Sequence, residues 1–107
     1  MLRNIKWYIK QKYQKVTRGF SDEELWNLDY HLCKWLVPRL KAFKEKTQGY
    51  PPNLKTPEEW NDILQKMIDG FEIYTSDFED IEDVKKNTKK INSALSLFKK
   101  YFSYLWW

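Results

Sequence analysis

Asp29 is the most informative residue with a reactive side chain, because it places a carboxylate among apolar side chains. At about 100° per residue, a helix through this segment would bring Asp29 to the centre of an apolar arc. A buried carboxylate needs a basic partner or hydrogen-bond donors. It could fix helix packing by pairing with Arg3, Arg18 or Arg39, or it could receive the hydroxyl or amine of a ligand in a polar pocket. Both interpretations predict that Asp29 is buried.

Arginine and aromatic side chains suggest a second kind of chemistry, the binding of planar anions. Arginine binds phosphate, and an aromatic ring that stacks on a nucleotide base contributes about 1–3 kcal/mol. Arg18 and Arg39 are the predicted ligands of phosphate or ribose-phosphate, with an ordinary ion pair as the alternative for Arg39. Trp26, Tyr50 and Trp60 are the predicted stacking surfaces, and core packing is the alternative for each of them.

Groups that could catalyse a reaction are sparse. His31 is the single histidine and is predicted to be solvated, while Cys33 is the single cysteine and is predicted to be a small buried apolar residue. Glu79 and Glu82 match half of the magnesium motif of all-α nucleotide pyrophosphohydrolases, but no acid follows Asp83 to complete it. We therefore expect a protein that is not an enzyme and that has no cofactor and no metal site.

The composition of the 107 residues favours one domain over residues 1–107, with six Trp, seven Tyr and six Phe to supply a core. The net charge is +4, yet residues 1–18 carry six Lys and Arg and no acid. This basic segment could attract phosphates or an acidic partner, or it could dock on the acidic remainder of the chain. We expect neither a signal peptide nor a transmembrane segment, and therefore a cytoplasmic location.

Two helices are predicted in the first half of the chain. The first covers about residues 4–17 and ends at Gly19, which readily takes the left-handed conformation after a helix. It carries Trp7 almost opposite an apolar stripe, so that Trp7 is exposed unless something covers it. The stripe consists of Leu2, Ile5, Ile9, Tyr13 and Val16. The second helix begins at a capping box on Ser21, covers residues 21–46, and is kinked before Pro38.

Two further helices are predicted in the second half. The third opens at Thr56, as N-cap before a proline, and fades near Tyr74. Its apolar stripe is Trp60, Ile63, Leu64, Met67, Ile68 and Phe71. The fourth follows an acidic loop at residues 75–83. Its heptad seam is Ile81, Val84, Thr88, Ile91, Leu95, Phe98, Phe102 and Leu105.

These elements predict an all-α fold, a compact four-helix bundle with a long, kinked central helix. The apolar arcs of the second and fourth helices are broader than four short helices can bury. We therefore expect a homo-oligomer whose interface covers the surplus aromatic side chains.

Segments spread over nearly the whole chain resemble a family of small proteins of tailed bacteriophages that has no assigned activity. The acidic stretch at residues 77–90 departs from the family's pattern. The matching segments are residues 18–29, 38–40, 49–51, 58–64, 70–72, 97–102 and 105–106.

The resemblance implies a phage-encoded accessory protein in the cytoplasm of an infected bacterial host. Some small helical phage proteins sequester nucleotide-derived signalling molecules of host immunity, and this chain is similar to them in size, aromatic content and lack of catalytic groups. We therefore expect a non-enzymatic binding protein that sequesters a small nucleotide-like ligand. The alternatives are an interaction module that inhibits a host protein through its basic first helix and aromatic C-terminus, and a nucleic-acid-binding accessory protein that uses the basic helix and Trp7.

Overall fold

The described part of the chain is all-α, as predicted. The structure is a computed structural model that describes residues 2–75 and 81–106, without the side chains of residues 2–3 and 81–85. Within those ranges there is no strand. The α-helices are α1 (Leu2–Arg18), α2 (Leu28–Lys46), α3 (Pro57–Glu72) and α4 (Ile81–Tyr101). Short 3-10 helices are formed by Asp22–Leu25, Ile73–Thr75 and Phe102–Tyr104. Within the predicted loop at residues 75–83, residues 76–80 lie outside the described residues. Residues 81–83 belong to α4, so the prediction of a loop is wrong there.

Internal contacts divide the chain into two compact units, an N-terminal unit (Met1–Leu32) and a C-terminal unit (Cys33–Trp107). Pro38 lies inside α2 without ending it. The single domain over residues 1–107, the kink before Pro38 and the homo-oligomer stay predictions.

The C-terminal unit has an apolar core built on α3. Thr56 caps this helix by accepting a hydrogen bond from the Glu59 N–H at 3.3 Å, and a proline follows at the first helical position. Trp60 is 1% exposed and packs edge-on against Phe43 of α2 and Tyr101 of α4, with ring centroids 6.5 and 5.5 Å away. The predicted inward stripe of α3 is thereby confirmed. The buried apolar residues of the unit are Cys33, Val37, Leu40, Trp60, Leu64, Met67, Ile68, Phe71, Ala94 and Tyr101.

Helices α3 and α4 approach most closely at Gly70. A β-carbon at this position would lie 2.6 Å from the carbonyl oxygen of Lys90 and would also meet the β-carbon of Ala94. Glycine is therefore required here by the close approach of another backbone.

This close approach shifts the predicted seam of α4. The residues that α4 buries most deeply are Ala94 and Tyr101, whereas Leu95 and Phe102 are 51% and 63% exposed. The predicted seam is therefore wrong at Thr88, Leu95 and Phe102, all of which are exposed. The reason is steric, because α4 turns its smallest side chain toward Gly70 and its larger ones must follow that register. The side chains of Ile81 and Val84 lie outside the described residues.

The N-terminal unit packs a polar face of α1 against the chain that follows it. Gly19 ends α1 with φ 87°, as predicted, and its N–H donates to the Lys15 carbonyl at 3.0 Å. The chain then turns back so that the Gln11 side chain, 8% exposed, accepts a hydrogen bond from the Glu23 N–H at 2.8 Å. Gln14 accepts from the Asp22 N–H at 2.8 Å. Amide side chains thus satisfy the backbone of this turn.

The apolar stripe of α1 lies on the surface. A stripe of this kind normally packs inward, but here the face that packs carries glutamines. Trp7 is 40% exposed, which confirms its predicted exposure. The exposed fractions along the stripe are 53% for Ile5, 63% for Ile9, 68% for Tyr13 and 79% for Val16.

The predicted continuous helix over residues 21–46 is wrong. The Ser21 N–H does donate to the Glu24 carboxylate at 2.6 Å, as in a capping box, but the helix that follows is a 3-10 helix ending at Leu25. Asn27 then takes φ 53°, a left-handed conformation that asparagine tolerates better than most residues. Its carbonyl accepts from the His31 N–H at 3.1 Å, so that α2 begins anew at this point.

Candidate functional site

An aromatic cleft in the C-terminal unit is the best candidate for a binding site. Its volume is about 200 Å³, below the roughly 300 Å³ at which typical small-molecule sites begin. The cleft therefore suits one ring-sized group rather than a whole drug-sized molecule. It is lined by Thr47, Gly49, Tyr50, Pro51, Trp60, Tyr104 and Trp106, none of which is charged.

One side of the cleft comes from the linker between α2 and α3. The Thr47 N–H donates to the Phe43 carbonyl at 2.8 Å and closes the end of α2. Pro51 is buried, and its carbonyl accepts from the Leu54 N–H at 3.0 Å to form a turn. Two prolines, one of them buried, limit the backbone freedom of the segment that carries Tyr50.

A side-chain hydrogen bond ties this linker to the end of α4. The Asn53 side-chain amide donates to the Tyr101 hydroxyl at 3.1 Å, across 48 positions of sequence. Just beyond, the 3-10 helix Phe102–Tyr104 turns the chain, and the Leu105 N–H donates to the Phe102 carbonyl at 3.2 Å. Tyr104 and Trp106 are thereby brought to the linker.

Three rings of the cleft offer surface to a ligand, and one ring does not. Tyr50 is 42% exposed, Tyr104 is 37% exposed and Trp106 is 76% exposed. Trp60 is 1% exposed, so it forms the floor of the cleft, and the prediction that it is an exposed stacking surface is wrong. Its position on the inward stripe of α3 is the physical reason. Tyr50 and Trp60 are the two predicted site residues that the structure brings into one site.

Arg39 is engaged by its own helix. Its guanidinium lies 4.1 Å from the ring centroid of Trp35 and donates to the Trp35 carbonyl at 2.8 Å. It is not among the residues that line the aromatic cleft. The role of Arg39 in binding phosphate stays a prediction.

Arg18 is paired with an acid of its own chain. Its Nη2 lies 2.6 Å from Asp22 Oδ1, and its Nε donates to the Phe20 carbonyl at 3.0 Å. The hydrogen bond from Gln14, followed by that from Arg18, lowers the pKa of Asp22. A phosphate could bind Arg18 only by competing with the Asp22 carboxylate, which already pairs with it.

Trp26 is exposed in a different hollow, which belongs to the N-terminal unit. The indole is 77% exposed and shares this hollow with Trp7, Gln11, Asp22 and Glu23. Glu23 in the lining repels an anion, and the Asp22 carboxylate already pairs with Arg18 and Lys10. The hollow therefore does not favour the phosphate-bearing ligand that was predicted to stack on Trp26.

Asp29 is exposed to solvent, and the prediction that it is buried is wrong. The left-handed turn at Asn27 starts a new helix, so that Asp29 lies in the first turn of α2. Its Oδ1 accepts from the Tyr30 N–H at 2.9 Å. A carboxylate at a helix start is stabilised by the free amides and the helix dipole, and it needs no buried partner. Its role in binding a ligand stays a prediction.

The remaining candidates add no catalytic arrangement. Cys33 is buried at 6% exposure, as predicted. His31 is half-buried, with its ring 5.2 Å from that of Tyr30. The side chains of Glu79 and Glu82 lie outside the described residues. Among the side chains that the structure describes, at residues 4–75 and 86–106, no three His, Cys, Asp or Glu lie together as metal ligands would. None of the described helices has the length and apolar character needed to cross a bilayer.

Sequence reasoning did not place Tyr104 and Trp106 in the ligand site; it assigned them to the broad apolar end of the fourth helix and to a possible surface for a host protein. Comparison of the chain with models of protein families, with curated proteins and with solved structures gave no match. The geometry of the cleft is therefore the main evidence for function.

Proposed function

We propose that this protein is a non-enzymatic binding protein that takes up a nucleotide-derived small molecule by stacking its base in the aromatic cleft. The single observation that supports this function is the convergence of Tyr50, Tyr104 and Trp106 on an uncharged, ring-sized space above the buried Trp60. Stacking on one exposed ring contributes about 1–3 kcal/mol per base. Sequestration of a host immune signal by a phage protein is the biological setting that the sequence resemblance supports.

The lining of the cleft determines which part of the ligand enters it. Because the described lining holds hydroxyl groups but no cation, a phosphate would leave its water without gaining an ion pair there. The base therefore occupies the cleft and the sugar-phosphate lies outside it. An open ring-sized cleft of this kind fits an adenine or guanine moiety and not an entire cyclic dinucleotide.

Titration calorimetry with adenosine, cyclic nucleotides and ADP-ribose tests the proposal directly. We expect binding of at least one purine compound, with similar affinity for its nucleoside, because the base makes the contacts. Loss of all binding on removal of the phosphate would contradict an uncharged site. Failure of the whole panel to bind would remove the proposal.

A pair of tryptophan variants in the C-terminal unit locates the site. Trp106→Ala removes an exposed ring of the cleft, whereas Trp35→Ala removes a ring that is 55% exposed and lies outside the cleft lining. We expect Trp106→Ala to weaken binding about ten-fold or more and Trp35→Ala to leave it unchanged. Equal effects of the two variants would place the ligand elsewhere.

A peptide-binding module that engages a host protein is the second candidate. An uncharged groove lined by aromatic rings is also suited to a proline-rich segment. This candidate predicts that a proline-rich peptide competes for the cleft while every purine compound fails to bind.

A further inference from the structure

The exposed stripe of α1 is framed by lysines. At about 100° per residue, Lys6 and Lys12 lie on opposite sides of the line through Ile5, Ile9 and Val16. Both lysines are exposed, and so is every described residue of the stripe. The helix therefore presents one narrow apolar face with a positive edge on either side.

Packing within the N-terminal unit leaves this face free, because it uses the opposite side of the helix. Gln11 lies about 160° from Ile9 around the helix axis, and it is the α1 residue that is buried against the turn at Glu23. A helix whose polar side faces inward can offer its apolar side to another surface without unfolding.

Charge determines which kind of surface fits. Residues 1–18 carry six Lys and Arg and no acid, so that a second copy of α1 would bring the same positive charge. The phosphate backbone of a nucleic acid matches this charge but offers nothing apolar to the stripe. The surface of an anionic bilayer matches both features, because apolar side chains enter the acyl boundary while lysines extend to the head groups.

We propose that α1 docks flat on an anionic membrane surface, with Ile5, Ile9, Tyr13 and Val16 in the bilayer interface and Lys6 and Lys12 at the head groups. This docking holds the protein at the surface and does not span the bilayer. It is independent of the aromatic cleft, since it uses residues of the N-terminal unit alone.

Co-sedimentation of the full chain with vesicles tests this docking. The probes are vesicles of phosphatidylcholine alone and of phosphatidylcholine with phosphatidylglycerol. We expect binding to the anionic vesicles at least ten-fold tighter than to the neutral ones. Equal affinity for the two kinds of vesicle, or binding to neither, would overturn the proposal.

Two variants that add the same charge separate apolar docking from simple attraction between charges. Ile9→Lys adds a lysine at the centre of the stripe, and Asn4→Lys adds one at an exposed position outside it. We expect Ile9→Lys to weaken vesicle binding about ten-fold, and Asn4→Lys to bind as tightly as the parent protein or more tightly.

Three results would overturn the docking. The first is vesicle binding by Ile9→Lys that equals that of Asn4→Lys, which would leave only charge attraction. The second is an absence of vesicle binding together with a dimer that Ile9→Lys dissociates, which would assign the stripe to a second copy. The third is an absence of vesicle binding together with salt-sensitive binding of nucleic acid. Circular dichroism of both variants, which replace exposed side chains, checks that the helix is retained.

Discussion

The two units of this protein use their side chains in opposite ways. In the C-terminal unit, the apolar stripe of α3 faces inward, and Leu64 and Met67 are fully buried. In the N-terminal unit, α1 turns Gln11 inward and leaves Ile9 on the surface. Both helices have clear apolar stripes, so the stripe itself does not determine which face packs.

The difference lies in what each helix has to pack against. Helix α3 meets α2 and α4, whose rings and aliphatic side chains form a continuous apolar surface. Helix α1 meets a short turn whose backbone N–H groups at Asp22 and Glu23 need acceptors, and the glutamine side chains supply them. A polar interior of this kind satisfies a backbone that no regular helix or strand would otherwise satisfy.

The largest expected effect comes from truncating one aliphatic residue in each unit. Leu64→Ala should lower the free energy of unfolding by about 2–5 kcal/mol, because it leaves a cavity in a core where the side chain is 0% exposed. Ile9→Ala, at 63% exposure, should change it by less than about 0.5 kcal/mol. Chemical denaturation monitored by circular dichroism measures both, and a comparable loss in Ile9→Ala would remove the distinction between the units.

A glycine pair tests the tight packing of the C-terminal unit. Gly70→Ala should destabilise the protein by about 1–3 kcal/mol, because the new β-carbon meets the backbone of α4 and this outweighs the gain in helix propensity. Gly49→Ala meets nothing within 4 Å and should cause no loss of stability. Thermal unfolding of the two variants gives the comparison, and a Gly70→Ala protein as stable as the parent would contradict the close approach.

The polar interior of the N-terminal unit should depend on its glutamines. Gln11→Ala removes the acceptor of the Glu23 N–H, and we expect a loss of about 1 kcal/mol that is confined to this unit. Amide hydrogen exchange at Glu23 should quicken accordingly. The matched control is Gln48→Ala, which truncates an exposed glutamine of the linker and should leave that exchange unchanged. Unaltered exchange at Glu23 in the Gln11 variant would mean that its amide has another acceptor.

Protonation of Asp22 at low pH should destabilise the same turn. This is the smallest of the expected effects. The pKa of Asp22 is lowered, first by the hydrogen bond from Gln14 and then by that from Arg18. A carboxyl with a lowered pKa in the folded state stabilises that state above its ordinary pKa of about 3.9, and this contribution is lost as pH falls through the lowered value. An NMR titration should give Asp22 a midpoint below the ordinary value, and Gln14→Ala should raise it. A parent midpoint at or above the ordinary value would contradict the hydrogen-bond network.

The sequence predicts those parts of the fold whose signals are local. The N-cap at Thr56, the proline after it and the apolar stripe together determine where α3 begins and which face it buries. Gly19 likewise marks the end of α1. By contrast, the left-handed turn at Asn27 interrupts a segment whose apolar periodicity continues across it, so periodicity predicted one long helix and a buried Asp29.

The rest of the fold depends on contacts between distant segments. Ala94 was overlooked because a small residue carries little weight in an apolar pattern, and its burial follows from Gly70 on another helix. Of the cleft residues, the sequence predicts only Tyr50 and Trp60 as site residues. No local sequence motif predicts the turn after α4 that brings Trp106 to the cleft. Arg18, Arg39 and Trp26 are predicted to share one site because of their chemistry alone. The chemistry of a side chain gives no information about how far apart the residues lie in the fold.

The contrast between the two units rests on an exposed Ile9 beside a buried Gln11. Methyl NMR of the full chain in dilute solution, with a soluble paramagnetic agent, measures it directly. We predict strong broadening of the Ile5 and Ile9 methyl signals and little broadening of Ile68, which is 1% exposed. Protection of Ile9 equal to that of Ile68 would mean that the stripe of α1 is buried and that the two units do not differ in this way.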